Sequence, residues 1–156
     1  MDFPQLLIRG QLVSRYKRFF ADVLLDAPGA SAQKKWGGDI RLSIRGSGIG
    51  NSSHNRGVLL AQDGVPFNEA DGFGDFQLID PLIARYTEGY KGGNALRFGG
   101  ALLGGAINFV TPTGKDAAAR NLLRLDGGSY DLLRGHGEVA RVIGDWDVFG
   151  AATAIT

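Results

Sequence analysis

Between residues 39 and 45 the chain alternates without a break. Ile40, Leu42 and Ile44 fall on one side, and Asp39, Arg41, Ser43 and Arg45 on the other. A period of two predicts a half-buried strand. Residues 58–61 are a continuous apolar run, VLLA, which suits a strand covered on both faces. Residues 86–91 and 106–111 predict two more strands, the second stopped by Pro112. Gly89 stands mid-strand where a β-branched residue is expected, which predicts a weak point or a bulge. Helical periodicity is confined to residues 18–26, RFFADVLLD, with Phe20, Val23 and Leu24 on one face and Pro28-Gly29 as the stop. Residues 79–82 suit one helical turn, and residues 94–98 a short helix or turn. Residues 1–17 show no pattern that assigns them a role.

Two loops separate these elements. Residues 46–56 are small and polar, and residues 67–76, FNEADGFGDF, mix aromatics, acids and glycines. Asp63-Gly64 is a hairpin-type turn pair. The order is helix, strand, loop, strand, loop, strand, short helix, strand, which predicts a small mixed sheet with helices beside it, an α+β unit. Beyond residue 114 the character changes. Residues 121–125, 132–143 and 148–156 predict three antiparallel strands joined by Gly127-Gly128-Ser129 and Gly144-Asp145. Their alternation is imperfect: Arg134, His136 and Glu138 share a face, but Arg141 falls on the other. By periodicity alone these are ordinary antiparallel strands.

Composition narrows the class. Apolar residues make up 44% and charged residues 21%, a balance that supports a packed core. With 17 basic and 16 acidic residues and a net charge of +1, nothing points to nucleic acid as a partner. The 25 glycines cluster between apolar runs, where tight turns are needed. Without cysteine there is neither a disulfide frame nor a thiolate metal site. No stretch approaches the ~18 apolar residues of a spanning helix, and residues 1–20 lack the plan of a secretory signal.

Enzyme and cofactor motifs find no support. The Gly46-Ser47-Gly48-Ile49-Gly50 loop follows a strand, but a loop and another strand follow it, where a dinucleotide site needs a helix. Gly114-Lys115 continues into Asp116, not the serine or threonine of a phosphate loop. His54 and His136 have no second ligand at chelating spacing, so each reads as a solvated or hydrogen-bonded histidine and no metal site is expected. Asp71 and Asp75 lie in a glycine-rich loop with no nucleophile beside them.

Four blocks occur in order along the chain: RLSIRG from Arg41, RGVLLAQDGVPFNEADGFGDFQLIDPL from Arg56, YKGGNALRFGG from Tyr90 and GGAINFVTPTG ending at Gly114. Together they resemble the plug domain of TonB-dependent outer-membrane receptors, with receptors for ferric siderophores and ferric citrate nearest in pattern. The resemblance covers about three fifths of the chain, from Phe20 to Gly114. It implies an unassigned segment at 1–17, a plug at 18–114 and, from 115 to 156, the first three antiparallel strands of an outer-membrane β-barrel. Such barrels close with about 22 strands, so the resemblance implies a chain truncated at its back. With no signal peptide or TonB box located, it implies truncation at its front as well.

The resemblance further implies outer-membrane localisation of the intact protein, the inner-membrane TonB protein as partner, and a ferric siderophore-like chelate as ligand, with no resident cofactor and no catalysis. It places the loops 47–55, 67–76 and 93–97 at plug apices, making Asn51, His54, Asn68, Phe73, Phe76 and Arg97 candidate ligand contacts. It makes Arg45 first, then Arg56, Glu88 and Lys91, candidates for locking the plug to barrel carboxylates. For each of these the plain alternative is a solvated loop tip or a solvated charged strand face. At the level of the whole chain the alternatives are a small soluble α+β binding domain and the non-functional product of a truncated gene.

Overall fold

The computed structural model describes residues 6–8, 11–14, 29–34, 40–47, 57–99, 103–129 and 131–156. The chain divides into two compact units, Met1–Thr111 and Pro112–Thr156.

In the first unit, β1 (Leu6–Ile8), β2 (Gln11–Ser14), β5 (Val58–Gln62), β6 (Val65–Pro66), β7 (Tyr86–Lys91) and β8 (Gly105–Val110) form a six-stranded sheet in the order β1-β2-β7-β8-β5-β6. β5 and β8 run parallel, with Leu60 opposite Ile107; the other neighbours are antiparallel. This is the mixed sheet that the pattern predicts. A separate antiparallel pair joins β3 (Ala30–Lys34) and β4 (Ile40–Ile44).

The apolar run of β5 is explained by its place in the sheet. Val58 and Leu60 join Ile107 and Phe109 of β8 in one core, against which Ile40, Leu42 and Ile44 of β4 also pack. Leu59 and Ala61 point to the opposite face and cluster with Ala106, Tyr90 and Ala95. A central strand with parallel pairing has no solvent face, so it cannot alternate. The hairpin between β5 and β6 turns at Asp63 (φ 51°) and Gly64 (φ 82°), the pair of positive dihedrals that a two-residue primed turn requires. The Asp63 carboxylate takes the Thr111 N–H (2.8 Å) and hydroxyl (2.6 Å), pinning this turn to the end of β8.

Several expectations shift. β4 ends at Ile44, and Arg45 leaves the strand at φ 52°, followed by Gly46 at φ 83°. The Ile44 carbonyl accepts the Ser47 N–H at 3.1 Å, closing a tight turn. Arg45 therefore does not lie on the polar face of the β4 strand. β7 pairs through Gly89 with both Leu12 and Ile107 and contains no bulge. The single turn expected at 79–82 falls at residues 80–83, where the Asp80 carbonyl accepts the Ile83 N–H at 3.2 Å, and a separate 3-10 helix precedes it at Phe76–Leu78, capped by the Asp75 carboxylate on the Gln77 N–H. A second 3-10 helix covers Gly92–Phe98, enclosing the short helix expected at 94–98. The helix expected at 18–26 lies outside the described residues. β1 and β2 fall where the pattern assigns nothing; seven residues in two short pieces carry too little periodicity, and it is pairing of β2 with β7, and of β1 with β2, that makes them strands.

The second unit is an antiparallel meander, β9 (Asn121–Gly127), β10 (Leu133–Ile143) and β11 (Trp146–Ile155), in the order β11-β10-β9. All three sequence-predicted strands are present. The register resolves their uneven alternation. On one face stand Arg124, Asp126, Arg134, His136, Glu138 and Thr153; on the other stand Leu123, Leu125, Leu133, Val139 and Val148. Arg141 shares the apolar face, but its guanidinium is taken by the Arg120 carbonyl, the Ala140 carbonyl and Asn121 Oδ1, each at 2.7 Å, at the end where β9 begins.

Candidate functional site

The end of β4, the end of β7 and the starts of β5 and β8 meet at one end of the six-stranded sheet. Backbone packing there leaves no room for side chains. A Cβ on Gly105 would come within 2.2 Å of the Tyr90 carbonyl, and the residue sits at φ +150°. Only glycine fits where β8 starts against β7. The turn after β4 delivers Arg45 to this end. Its N–H donates to the Gly29 carbonyl at 2.8 Å, and its guanidinium Nη1 lies 3.0 Å from where a Cβ on Gly92 would stand. Gly92, at φ +57°, opens the second 3-10 helix and leaves space for that cation.

Five residues on, the same helix carries Arg97. Its guanidinium carbon is 5.4 Å from the Tyr90 ring centre and 5.5 Å from that of Phe98, and these two rings pack edge to face at 5.0 Å. Arg97 is thus held by π faces while remaining exposed. Tyr90 is held in turn. Its hydroxyl donates to Glu88 Oε2 at 2.8 Å, Asn108 Nδ2 donates to the same oxygen at 2.9 Å, and Asn108 Oδ1 accepts the Gly64 N–H at 2.9 Å. Burial first, then the Glu88 carboxylate, pushes the Tyr90 phenol up to about 12. A ladder of polar contacts so runs across the sheet from the Asp63–Gly64 turn to the ring beneath Arg97.

The sequence-predicted positions divide sharply. Arg45 and Arg97 are exposed at the loop end, and half-buried Phe73 lies in the 67–76 loop. Phe76 is a correction: it is 1% exposed, a core residue packed with Leu60 and Phe109, and it presents no surface to a ligand. Asn68 is a second correction. Its Oδ1 accepts the Leu60 N–H at 2.7 Å, and its Nδ2 donates to the carbonyls of Val58 (3.1 Å) and Gly72 (3.0 Å). The amide fastens the loop to Val58 and Leu60 of β5 and spends both of its N–H groups within the chain. Glu88 is spent on Tyr90 and Asn108 within its own sheet. Lys91 is the last residue of β7 and stands at the N-cap position of the second 3-10 helix, where its side chain makes no capping bond. Asn51, His54 and Arg56 lie outside the described residues. Sequence reasoning missed Tyr90, Asn108 and Asp63. The Asp-Gly pair signalled Asp63 as a turn residue, but no local signal marks the partners of Tyr90 or Asn108.

In the second unit, Asp126 accepts from the Arg124 Nε at 2.9 Å and from the Arg134 Nη2 at 3.1 Å. His136, buried, lies between Thr153 Oγ1 (2.7 Å) and Glu138 Oε1 (2.9 Å). It is a hydrogen-bonded histidine, and among the described residues no group of three metal-ligating side chains occurs. The opposite face leaves Leu123, Leu125 and Trp146 more than 70% exposed. A sheet polar and buried on one face and apolar and open on the other inverts the usual pattern of a soluble domain.

A family model described as "TonB-dependent Receptor Plug Domain" matches residues 8–106. Among solved structures, the ferric enterobactin receptor PfeA superposes with a TM-score of 0.64 at 16% identity, covering 94% of this chain and 25% of that one. The siderophore receptor PirA from Acinetobacter baumannii gives 0.62 at 18%, covering 93% and 24%. The Serratia marcescens hemophore receptor HasR, solved with its hemophore HasA and heme, gives 0.59 at 22%, again covering 93% and 24%. At these identities the likeness is one of fold. The chain spans about a quarter of the length of these receptors.

Proposed function

This chain belongs to the TonB-dependent receptor plug domain family, and from that premise we propose that it is part of an outer-membrane receptor for energised uptake of a ferric siderophore-type ligand. The family is one of receptors, not of enzymes. Within this reading, residues 18–114 are the plug, joined by the β1–β2 pair, and residues 115–156 begin the barrel wall. The ligand is met at the loop end that carries Arg45 and Arg97, with Phe73 as a further contact, and the TonB protein supplies the work of moving the plug.

One observation carries the membrane part of the proposal: the two-faced meander of the second unit. β10 has 11 residues. At roughly 3.3 Å per residue it is about 36 Å long, which at a tilt of about 40° spans the ~25 Å apolar band of an outer-membrane barrel. The apolar face then meets lipid, and the Arg124–Asp126–Arg134 and His136–Glu138 groups face the lumen.

The test is a transplant. Residues 1–114 replace the plug of a related siderophore receptor that keeps its own TonB box and barrel. The hybrid is expected to assemble in the outer membrane and support growth on a ferric siderophore only when TonB is present. Assembly with no TonB-dependent uptake of any ferric chelate tried would sink the uptake reading. In the same hybrid, Arg45→Ala is expected to raise sensitivity to large antibiotics if the arginine also locks the plug to the wall. Unchanged sensitivity would remove that role and leave Arg45 to the ligand.

A further inference from the structure

A cation stands on the open apolar face of the second unit. The register sets Arg141 of β10 opposite Val148 of β11, and Ile143, on the same face, opposite Trp146. Val139, Ile143, Trp146 and Val148 on that face are 52%, 63%, 76% and 47% exposed, so apolar surface surrounds the half-buried arginine. Arg141 and Trp146 both stand at the end of the unit where the Gly144-Asp145 turn joins β10 to β11.

The guanidinium is anchored but not neutralised. Nη1 donates to the carbonyls of Arg120 and Ala140, and Nη2 donates to Asn121 Oδ1, each at 2.7 Å. All of these acceptors are uncharged, and among the described residues no carboxylate pairs with Arg141. The acids nearby are placed otherwise. Asp147 belongs to the opposite face and takes the Gly114 N–H, Asp116 takes the Thr113 N–H, and Asp145 lies in the turn itself. A guanidinium carries more N–H donors than these bonds use, so donors remain for a further acceptor. A fork already held in place loses little freedom when it closes on an oxyanion.

On a strand that meets lipid, an arginine is tolerated where its head reaches the polar layer and is costly at mid-depth. Arg141 meets that condition through its place near the strand end. Tryptophan is enriched at the same boundary. In outer-membrane barrels the short turns lie on the periplasmic side. Residues 144–145 make a shorter connection than residues 128–132, which join β9 to β10.

Resting on the barrel-wall reading above, we propose that Arg141 is a lipid-headgroup site. Its remaining N–H groups close on the phosphodiester of an anionic phospholipid in the periplasmic leaflet, Trp146 stands at the headgroup boundary, and Val139, Ile143 and Val148 lie against the acyl chains. Guanidinium–phosphate bonds are charge-assisted, and beside hydrocarbon they are screened less than in water.

The 156-residue chain carrying Trp36→Phe, so that Trp146 is its single tryptophan, is titrated with vesicles of phosphatidylcholine alone and of phosphatidylcholine mixed with phosphatidylglycerol. The blue shift of Trp146 emission reports partition. The chain is expected to enter both, and the anionic vesicles about three- to tenfold more strongly. Arg141→Gln should remove that preference, bringing the two vesicle types within about twofold of each other. Arg141→Lys keeps the charge without the planar fork and should keep only part of it. The lysine variant also decides the matter if the glutamine variant does not fold: a full preference with lysine shows a general pull on a cation and overturns the fork site. Inorganic phosphate without vesicles should leave Trp146 emission unmoved; a shift would make this a free-phosphate site and overturn the lipid assignment. Equal partition into the two vesicle types, or a preference that survives Arg141→Gln, overturns the headgroup site and leaves the barrel-wall reading standing. Partition into neither overturns both.

Discussion

The two units of this chain are both β-sheets, yet they spend their apolar residues in opposite ways. In the first unit Leu60, Ile107 and Phe109 are 2% exposed or less, closed between the sheet and the β4 strand. In the second, Leu123, Leu125 and Trp146 face outward, and it is Arg134 and His136 that are buried. One sheet closes its apolar residues into a core and the other leaves several of them open on one face. The hydrophobic effect acts identically in both; what differs is the medium that each face is made to meet.

The sharpest test of that contrast is core truncation. Leu60→Ala removes a fully buried side chain held on three sides and is expected to cost about 3–4 kcal/mol, read as a drop in denaturant midpoint. A loss below about 1 kcal/mol would mean that the first unit is not a packed core. Next in size, Val139→Arg on the apolar face of β10 should cost about 3 kcal/mol when the strand unit is embedded in lipid within an intact barrel. It should instead reduce self-association of the isolated chain in water, which sedimentation would show. If arginine is as well tolerated in lipid as in water, the face does not meet a bilayer.

High pH tests the polar ladder. The Tyr90 phenol is raised from 10 to about 12. Its contribution is intact below pH 10 and is lost as pH rises towards 12. Glu88→Gln removes the second cause of the shift, so ionisation followed by tyrosinate absorbance should move down towards 10. An unmoved titration would dissolve the Glu88–Tyr90 link. Asn68→Ala removes two hydrogen bonds on β5 and one on the Gly72 carbonyl and should cost about 1–2 kcal/mol, with faster hydrogen exchange at Leu60. Stability within about 0.3 kcal/mol of the parent would return Asn68 to the ligand candidates. The smallest effect belongs to Leu125→Ala, 71% exposed, which should leave stability in water within about 0.5 kcal/mol. The ratio of that value to the Leu60 value measures the contrast between the units.

Much of the architecture is written locally. The alternation of Ile40, Leu42 and Ile44, the VLLA run and the Asp63-Gly64 pair each predict an element that the structure contains. The four ordered blocks identify the family from residues alone, and the matched span 8–106 agrees. The site was less legible. Arg97, expected as a ligand contact, and Arg45, expected as a lock, stand exposed, whereas Phe76 and Asn68, both expected as ligand contacts, are respectively in the core and bonded through the amide to Leu60, Val58 and Gly72.

The sequence by itself determined which residues extend, where the chain turns and which family it joins, because strand periodicity and turn dihedrals are settled by neighbours one to three positions away. Tertiary structure decided what each strand lies beside. β1 and β2 become strands through β7, β5 loses its solvent face through β8, and Glu88 turns from a surface charge into the anchor of Tyr90. It also decided that the alternation of β9, β10 and β11 is sound, since register aligns Asp126 with Arg134 and turns Leu123 and Val139 to the same side. The β5–β8 pairing joins residues 47 positions apart (Val58 with Gly105) and the β2–β7 pairing residues up to 79 apart (Gln11 with Tyr90), and at such separations the local pattern carries no information on which face will be covered.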